Sequence, residues 1–235
     1  MPQSPAFIGN LAQSALGRRA RVLDVSAPAP GFIELQLAAD APQGGWHPGH
    51  EIQFRVTPTL GRRYTVRTVD NSQELERIEI LVDTTPSGPG AAWISRLRPG
   101  DDMTLLAGRH RSSLRNGTRR LCLGDACSLG TLDAYGHENP GADIVIEVRA
   151  KALPYLAIRW PKYRFVPATD APGDALQSWL ETAIVAGELS NIDGAWLLGH
   201  AQSIQRHRKA LIEELGLARR SVTVRPYWAD GKHGL

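Results

Sequence analysis

Three residue types at close spacing stand out for the chemistry they could do. In "GRRYTVRTVD", Gly61 to Asp70, a run with the aromatic and β-branched character of a strand carries three arginines, Arg62, Arg63 and Arg67. Half-buried strands more often turn Lys or Glu outward for solubility. The two-residue period of a strand puts Arg62 and Tyr64 on one face, with Thr65 on the other or at a local irregularity. An aromatic face stacks on a planar ring, an Arg fork holds a phosphate bidentately, and a short hydroxyl bonds a ring edge. About twenty residues on, "SGPGAAWISRLRPGDD" reads as a glycine-rich loop, a short helix and a turn. Its Gly88, Gly90 and following amides sit where a pyrophosphate can be received.

The elements that must position these groups change texture along the chain. In the first half "FIELQL" and "RIEILV" alternate apolar and polar residues, the period of strands with one wet face. Turn clusters such as "APAPG" and "DAPQGGWHPG" separate such runs, which favours an antiparallel barrel or sandwich. From about Thr118 the runs "RLCLG", "ADIVIEVRA", "YRFVPA", "GAWLLG" and "SVTVRPYW" read as strands. "PGDALQSWLETAIVAG" and "HAQSIQRHRKALIEELG" carry apolar residues at helical spacing, and the second stops at Gly216. Asp174 and Gln177 have the separation of a capping-box variant. Strands alternating with helices predict an open, mainly parallel sheet. "RHRSSLRNGTRR" divides the halves, giving domains at 1–116 and 117–235.

Composition narrows the class. The chain has 235 residues, 42% of them hydrophobic, and a net charge of +3, ordinary for a globular protein and too small for a dedicated nucleic-acid binder. The N-terminus lacks the basic start and apolar core of a signal peptide, and no apolar run reaches the roughly 20 residues of a membrane helix. Two cysteines make neither a disulfide framework nor a cysteine-rich metal site, and His50, His137 and His233 show no ligand spacing. The expectation is a cytoplasmic monomer with no nucleic-acid, membrane or metal partner.

Arg62-x-Tyr64-Thr65 resembles the R-x-Y-[ST] signature of the ferredoxin-reductase superfamily. "RRYTVR" is closer to the R-x-Y-T-x-R of siderophore-interacting proteins, which are FAD-dependent ferric-siderophore reductases. "GPGAAWISRLRPGD" resembles that family's G-P-A-x-x-W and P-G-D segments, and "LCLGDACSLG" stands in place of G-D-E-[ST]-A-L-P. "GAWLLGHAQSIQRHRKALIEELGL" and "YWADGK" are similar to its closing W-x-x-G-E-A and G-Y-W-R-x-G segments. The resemblance implies an antiparallel, flavin-binding, ferredoxin-reductase-like β-barrel followed by an NAD(P)H-binding α/β domain. It implies FAD and NAD(P)H as cofactors and a ferric siderophore as substrate, reduced to release iron(II). Arg62, Tyr64, Thr65, Val82, Asp83, Gly88, Gly90, Ala91, Ala92, Asp125 and Trp228 fall at cofactor-binding positions, with Trp228 shielding the flavin face. Arg109 and Lys232 fall in segments that line the substrate mouth, and no classical catalytic residue is implied. At several positions the chain departs from the pattern. Asp83 or Thr84 stands for a His, and an acid there would lower the flavin potential. Ala91 lacks a hydroxyl, Gln53 replaces a Lys, Ala126 and Gly130 replace Glu and Pro, and His200 replaces a Glu.

Other readings stay open. The same scaffold serves NAD(P)H:flavin or quinone-type reductases, and a divergent member could bind a ligand without turnover. The charges of Arg109, His110, Arg111, Arg115, Arg119 and Arg120 are either a solvated linker or an attractor for an anionic chelate or 2′-phosphate. Arg206, His207 and Arg208 could also meet a 2′-phosphate. Cys127 follows a strand and precedes a helix, as nucleophiles of α/β folds do, but no partner is placed by "GDACSLG". Cys122 reads as core, and Trp93 as a core anchor.

Overall fold

The computed structural model describes residues 17–72, 76–110 and 119–232, without the side chains of Arg109 and His110. The 116/117 boundary, Arg111, Arg115 and His233 lie outside the described residues. Contacts divide the chain into two compact units. One comprises the described residues of 1–113 with Asp133–His137, the other those of 114–132 and 138–235.

The first unit is an antiparallel sheet of seven strands, β1 (Arg18–Ser26), β2 (Phe32–Ala39), β3 (His50–Thr57), β4 (Leu60–Thr65), β5 (Thr68–Asp70), β6 (Arg77–Asp83) and β7 (Asp102–His110). Their order is β4-β3-β7-β1-β2-β6-β5. β3 shows the cause most plainly: His50, Ile52, Phe54 and Val56 are buried while the residues between them are not. The sheet's two edge strands are consecutive in the chain, and the dipeptide between them joins the edges. The Val66 amide donates to His50 O of β3 at 2.8 Å, and the Arg67 amide donates to Glu79 O of β6 at 2.7 Å. The sheet therefore curls around one core of Leu35, Leu37, Ile52, Phe54, Ile80 and Leu105. A barrel manages its sheet edges in this way.

Arg67, read as one of three strand arginines, is buried at the closure. It pairs with Glu79, with Glu34 at 2.9 Å and with Asp133 at 2.7 Å. Its charge serves the barrel.

The second unit holds five parallel strands, β8 (Arg120–Asp125), β9 (Asp143–Val148), β10 (Arg164–Pro167), β11 (Gly194–His200) and β12 (Val222–Trp228). Helices α2 (Leu129–Glu138), α3 (Leu153–Arg159), α4 (Asp174–Val185) and α5 (Ala201–Glu213) alternate with them, and α1 (Pro89–Ile94) belongs to the first unit. The order β10-β9-β8-β11-β12 reverses direction between β8 and β11. β11 is buried at every position, as a strand covered on both faces must be. Among the described residues no helix is long and apolar enough to cross a membrane.

The capping box expected at α4 is not what starts that helix. Gly173 occupies the N-cap with φ of 76°, and the buried Glu147 of β9 accepts from the Gly173 amide at 2.8 Å and the Leu176 amide at 2.9 Å. Asp174 instead pairs with Arg206 at 2.6 Å, and Gln177 bonds Glu181 at 2.7 Å. A carboxylate from a neighbouring strand satisfies the orphan amides that the local sequence pattern assigned to Asp174.

Candidate functional site

Two clusters of polar groups sit at element ends, one in each unit. The first joins β4 to the start of α1. Arg62 and Tyr64 lie opposite Phe54 and Ile52 of β3, and the Tyr64 ring packs on Phe54 at 5.7 Å between centroids. Trp93 of α1 also packs on Phe54, at 5.1 Å between centroids, as a core anchor. This packing brings α1 against β4 at Gly90. A Cβ there would lie 2.8 Å from Tyr64 Oη and 3.2 Å from Arg62 Cγ, so only glycine permits the approach. Arg62, Tyr64 and Gly90 thus meet at one place.

The start of α1 has no side-chain cap. Gly88 is the N-cap, and the first turn carries no acid. The Ala92 amide bonds Gly88 O at 3.0 Å, so the amides left without an intrahelical acceptor are those of Gly90 and Ala91. These features fit a pyrophosphate-bearing aromatic cofactor: a phenol ring and a guanidinium beside uncapped amides, with a glycine where a side chain would intrude.

Other expected residues are placed differently. Thr65 ends β4, half-buried and opposite Glu51. Val82 is buried in the barrel core, so its side chain packs there. Asp83 accepts from the Thr85 amide at 2.9 Å and the Thr85 hydroxyl at 2.6 Å, closing a turn just before the glycine loop. Ala92 is exposed, with its amide used inside the helix. Arg109 lies in β7, and its side chain is outside the described part.

The second cluster occupies the carboxyl ends of β8, β11 and β12. Asp125 Oδ2 accepts from the His200 amide at 2.9 Å and from Trp228 Nε1 at 2.7 Å. The His200 and Trp228 rings lie 4.4 Å apart. Gly199, with φ of 117°, makes this possible, because a Cβ would fall 2.3 Å from Asp125 Oδ2. Gly124 is equally constrained, since a Cβ would meet Ser128 Oγ at 2.0 Å where the chain turns over the strand end into α2. Ser203 Oγ donates to Pro172 O at 2.6 Å and so accepts from His200 Nδ1 at 2.7 Å. The cluster lies at the reversal of strand order, where open α/β sheets bind their ligands. His200 was noted in the sequence only as a substitution; its stacking and hydrogen bonds depend on Trp228 and Ser203, which only the fold brings to it. Lys232 is exposed in the turn after β12.

Of the remaining candidates, Arg208 of α5 is half-buried, and the others are engaged in structure. Burial pushes the Cys122 thiol up to about 12, as a core cysteine requires. Cys127 is half-buried in the 3₁₀ turn after β8. Arg119 pairs with Asp143 at 3.0 Å, and Arg120 approaches Asp193 at 3.8 Å. Arg206 is held by Asp174 and by Pro172 O, and the buried His207 bonds Gly173 O at 3.1 Å. Among the described residues no His, Cys, Asp and Glu group could hold a metal.

His207 carries a pH dependence of known sign. Burial lowers its pKa from 6.5 to about 4, against the smaller raising effect of the Gly173 bond, while Arg206 lowers it and Asp174 raises it slightly. Above 6.5 both folded and unfolded forms are neutral there. As pH falls from 6.5 towards 4, the unfolded chain takes up a proton that the folded chain refuses, and stability drops by about 3 kcal/mol. Urea midpoints measured across this range should fall with pH, and His207→Gln, which keeps a donor for Gly173 O, should fall less steeply.

Neither a protein-family model nor a curated protein sequence matches the chain. Solved structures do. A siderophore-interacting protein from Acinetobacter baumannii superposes with a TM-score of 0.74 at 20% identity, covering 92% of this chain and 91% of that one. The siderophore-interacting protein SipS from Aeromonas hydrophila gives 0.71 at 17% identity, with 92% of each chain covered. The ferredoxin reductase of carbazole 1,9a-dioxygenase gives 0.69 at 19% identity, over 90% of this chain and 69% of that one. At these identities the likeness establishes a shared fold, a ferredoxin-reductase-like pairing of antiparallel barrel and parallel sheet.

Proposed function

We propose that the chain is an FAD-dependent NAD(P)H oxidoreductase that reduces ferric siderophores. The observation that carries this is the meeting of Arg62, Tyr64 and Gly90 beside the uncapped start of α1. Likeness to siderophore-interacting proteins along more than nine-tenths of the chain supports the choice of substrate. The first domain, 1–116, takes FAD: Tyr64 supplies the ring face, Thr65 an edge hydroxyl, Arg62 the phosphate fork, and Gly88 to Ala92 the backbone around the pyrophosphate. Val82 and Asp83 border that site through β6. The second domain, 117–235, takes NAD(P)H at the strand ends held by Asp125, with Trp228 shielding the reacting rings. Arg109 and Lys232 attract the anionic chelate.

When bound, FAD supplies redox chemistry that links a two-electron donor to one-electron acceptors. The balance is one NAD(P)H oxidised, two iron(III) reduced to iron(II) and one proton released. Iron(II) is a poorer match for hard oxygen ligands, so the chelate loosens. The residues bind, orient and exclude water, and none needs to exchange a proton with substrate. A second reading, an NAD(P)H:flavin or quinone-type reductase, is favoured by the departures at Gln53 and Asp83. Steady-state rates with ferric siderophores, free flavin and quinones separate the two. A kcat/KM highest for a ferric siderophore upholds the proposal, and one highest for a quinone replaces it. A chain that binds FAD and turns over none of them is a non-catalytic ligand binder.

A further inference from the structure

A helix that covers a sheet buries one face and turns polar side chains to water from the other. Helix α3 departs from that pattern. Its sequence is LPYLAIR, and before Arg159 the Tyr155 hydroxyl is its one polar side-chain group. Leu156 is buried, with Ala152 and Trp160 buried one turn before and after it, while Pro154, Tyr155, Ala157 and Ile158 are exposed. Tyr155 is 55% exposed and Ile158 82%, and among the described residues Val185 is the one other large hydrophobic so open.

The charges stand at the two ends of this face. Between Glu147 and Asp170 the chain has no acid and five cations, Arg149, Lys151, Arg159, Lys162 and Arg164. Arg159 lies over the Trp160 ring, and Arg164 lies over Trp179 with Glu188 at 3.9 Å. Lys151 precedes the apolar face and Lys162 follows it; both are exposed. An apolar face with a tyrosine, bracketed by lysines, suits a segment lying in a bilayer interface, where long cationic stems reach the headgroups. Other occupants fit less well. A second copy would set these cations against their own kind. A stable protein complex needs roughly 800 Å² from each partner, and two large apolar side chains supply a fraction of that. A bilayer needs only shallow insertion, and anionic headgroups add attraction at each cation.

We infer that the outward face of α3 docks on an anionic lipid bilayer, with Tyr155 and Ile158 entering the interface and Arg159 and Lys162 meeting the headgroups. This revises the expectation of no membrane partner, which followed from the lack of a spanning segment; lying on a bilayer requires none. The contact goes beyond the redox reading and does not depend on it.

Co-sedimentation of the full chain with vesicles of equal parts phosphatidylcholine and phosphatidylglycerol tests it, with vesicles of phosphatidylcholine alone beside them. The wild type should pellet with the anionic vesicles and stay in solution with the neutral ones, and added salt should weaken the binding. The Tyr155→Ser/Ile158→Ser double variant should bind about tenfold more weakly, and Lys162→Gln about fivefold. Val185→Ser, which removes an exposed apolar side chain of α4, should bind as the wild type does. A wild type that stays in solution with the anionic vesicles overturns the inference, and so does equal pelleting with the neutral ones. Binding that survives in Tyr155→Ser/Ile158→Ser but is lost in Lys162→Gln also overturns it, because charge alone would then act, as on a face made for an acidic protein. Equal loss in Val185→Ser overturns it too, since the effect would not belong to α3.

Discussion

Replacing Arg67 with Ala should destabilise the protein by about 3–5 kcal/mol, the cost of breaking a buried ion cluster from one side. Glu34, Glu79 and Asp133 come from β2, β6 and α2 and share this single guanidinium. Without it, three carboxylates are held close together away from water. Urea unfolding should show a lower midpoint in the variant. Arg67→Lys should recover only part of the loss, since an ammonium cannot present a planar fork to acids on several sides. A variant as stable as the wild type would mean that the cluster does not close the barrel.

The second large effect is expected at Gly90. Gly90→Ala should keep α1 helical, because Ala is the better helix former by about 1 kcal/mol, so the cost falls on the side chains that the methyl meets. The new methyl would sit 2.8 Å from Tyr64 Oη and 3.2 Å from Arg62 Cγ. The phenol is the end of a rigid ring packed on Phe54, so it cannot swing aside cheaply. Displacing both side chains removes a stacking face and a charged phosphate contact, which should weaken FAD binding on the order of a hundredfold. Flavin fluorescence titration gives the affinity, and thermal unfolding of the apo chain checks the fold. Unchanged affinity would separate Gly90 and its two neighbours from the cofactor.

Much of the architecture was legible because it repeats. The alternation in "FIELQL" and "RIEILV" becomes β2 and β6, and the helical spacing after Pro172 and His200 becomes α4 and α5. The meeting of Arg62 and Tyr64 on one face follows from strand period alone. What the pattern could not give were contacts set by distant parts of the chain. Arg67 looks like its neighbours Arg62 and Arg63, and its burial depends on acids 33 residues before it and 66 after it. Glu147 reads as an ordinary strand residue, yet it opens a helix 26 residues later, which leaves Asp174 for Arg206. The glycine in "GH" gives no hint that Asp125 must pass 2.3 Å from where its Cβ would be. Helix α2 reads as one element of the second half, while its Asp133–His137 group with the first unit.

The central claim is that the β4–α1 cluster holds FAD and that the second domain delivers electrons to it. It is tested most directly by the visible spectrum of the purified chain after incubation with FAD and desalting, repeated anaerobically with NADPH and with NADH. The account predicts a retained flavin spectrum that bleaches with either nucleotide. A chain that emerges without flavin would contradict it, and the arginines around Tyr64 would be no more than the charged face of a strand.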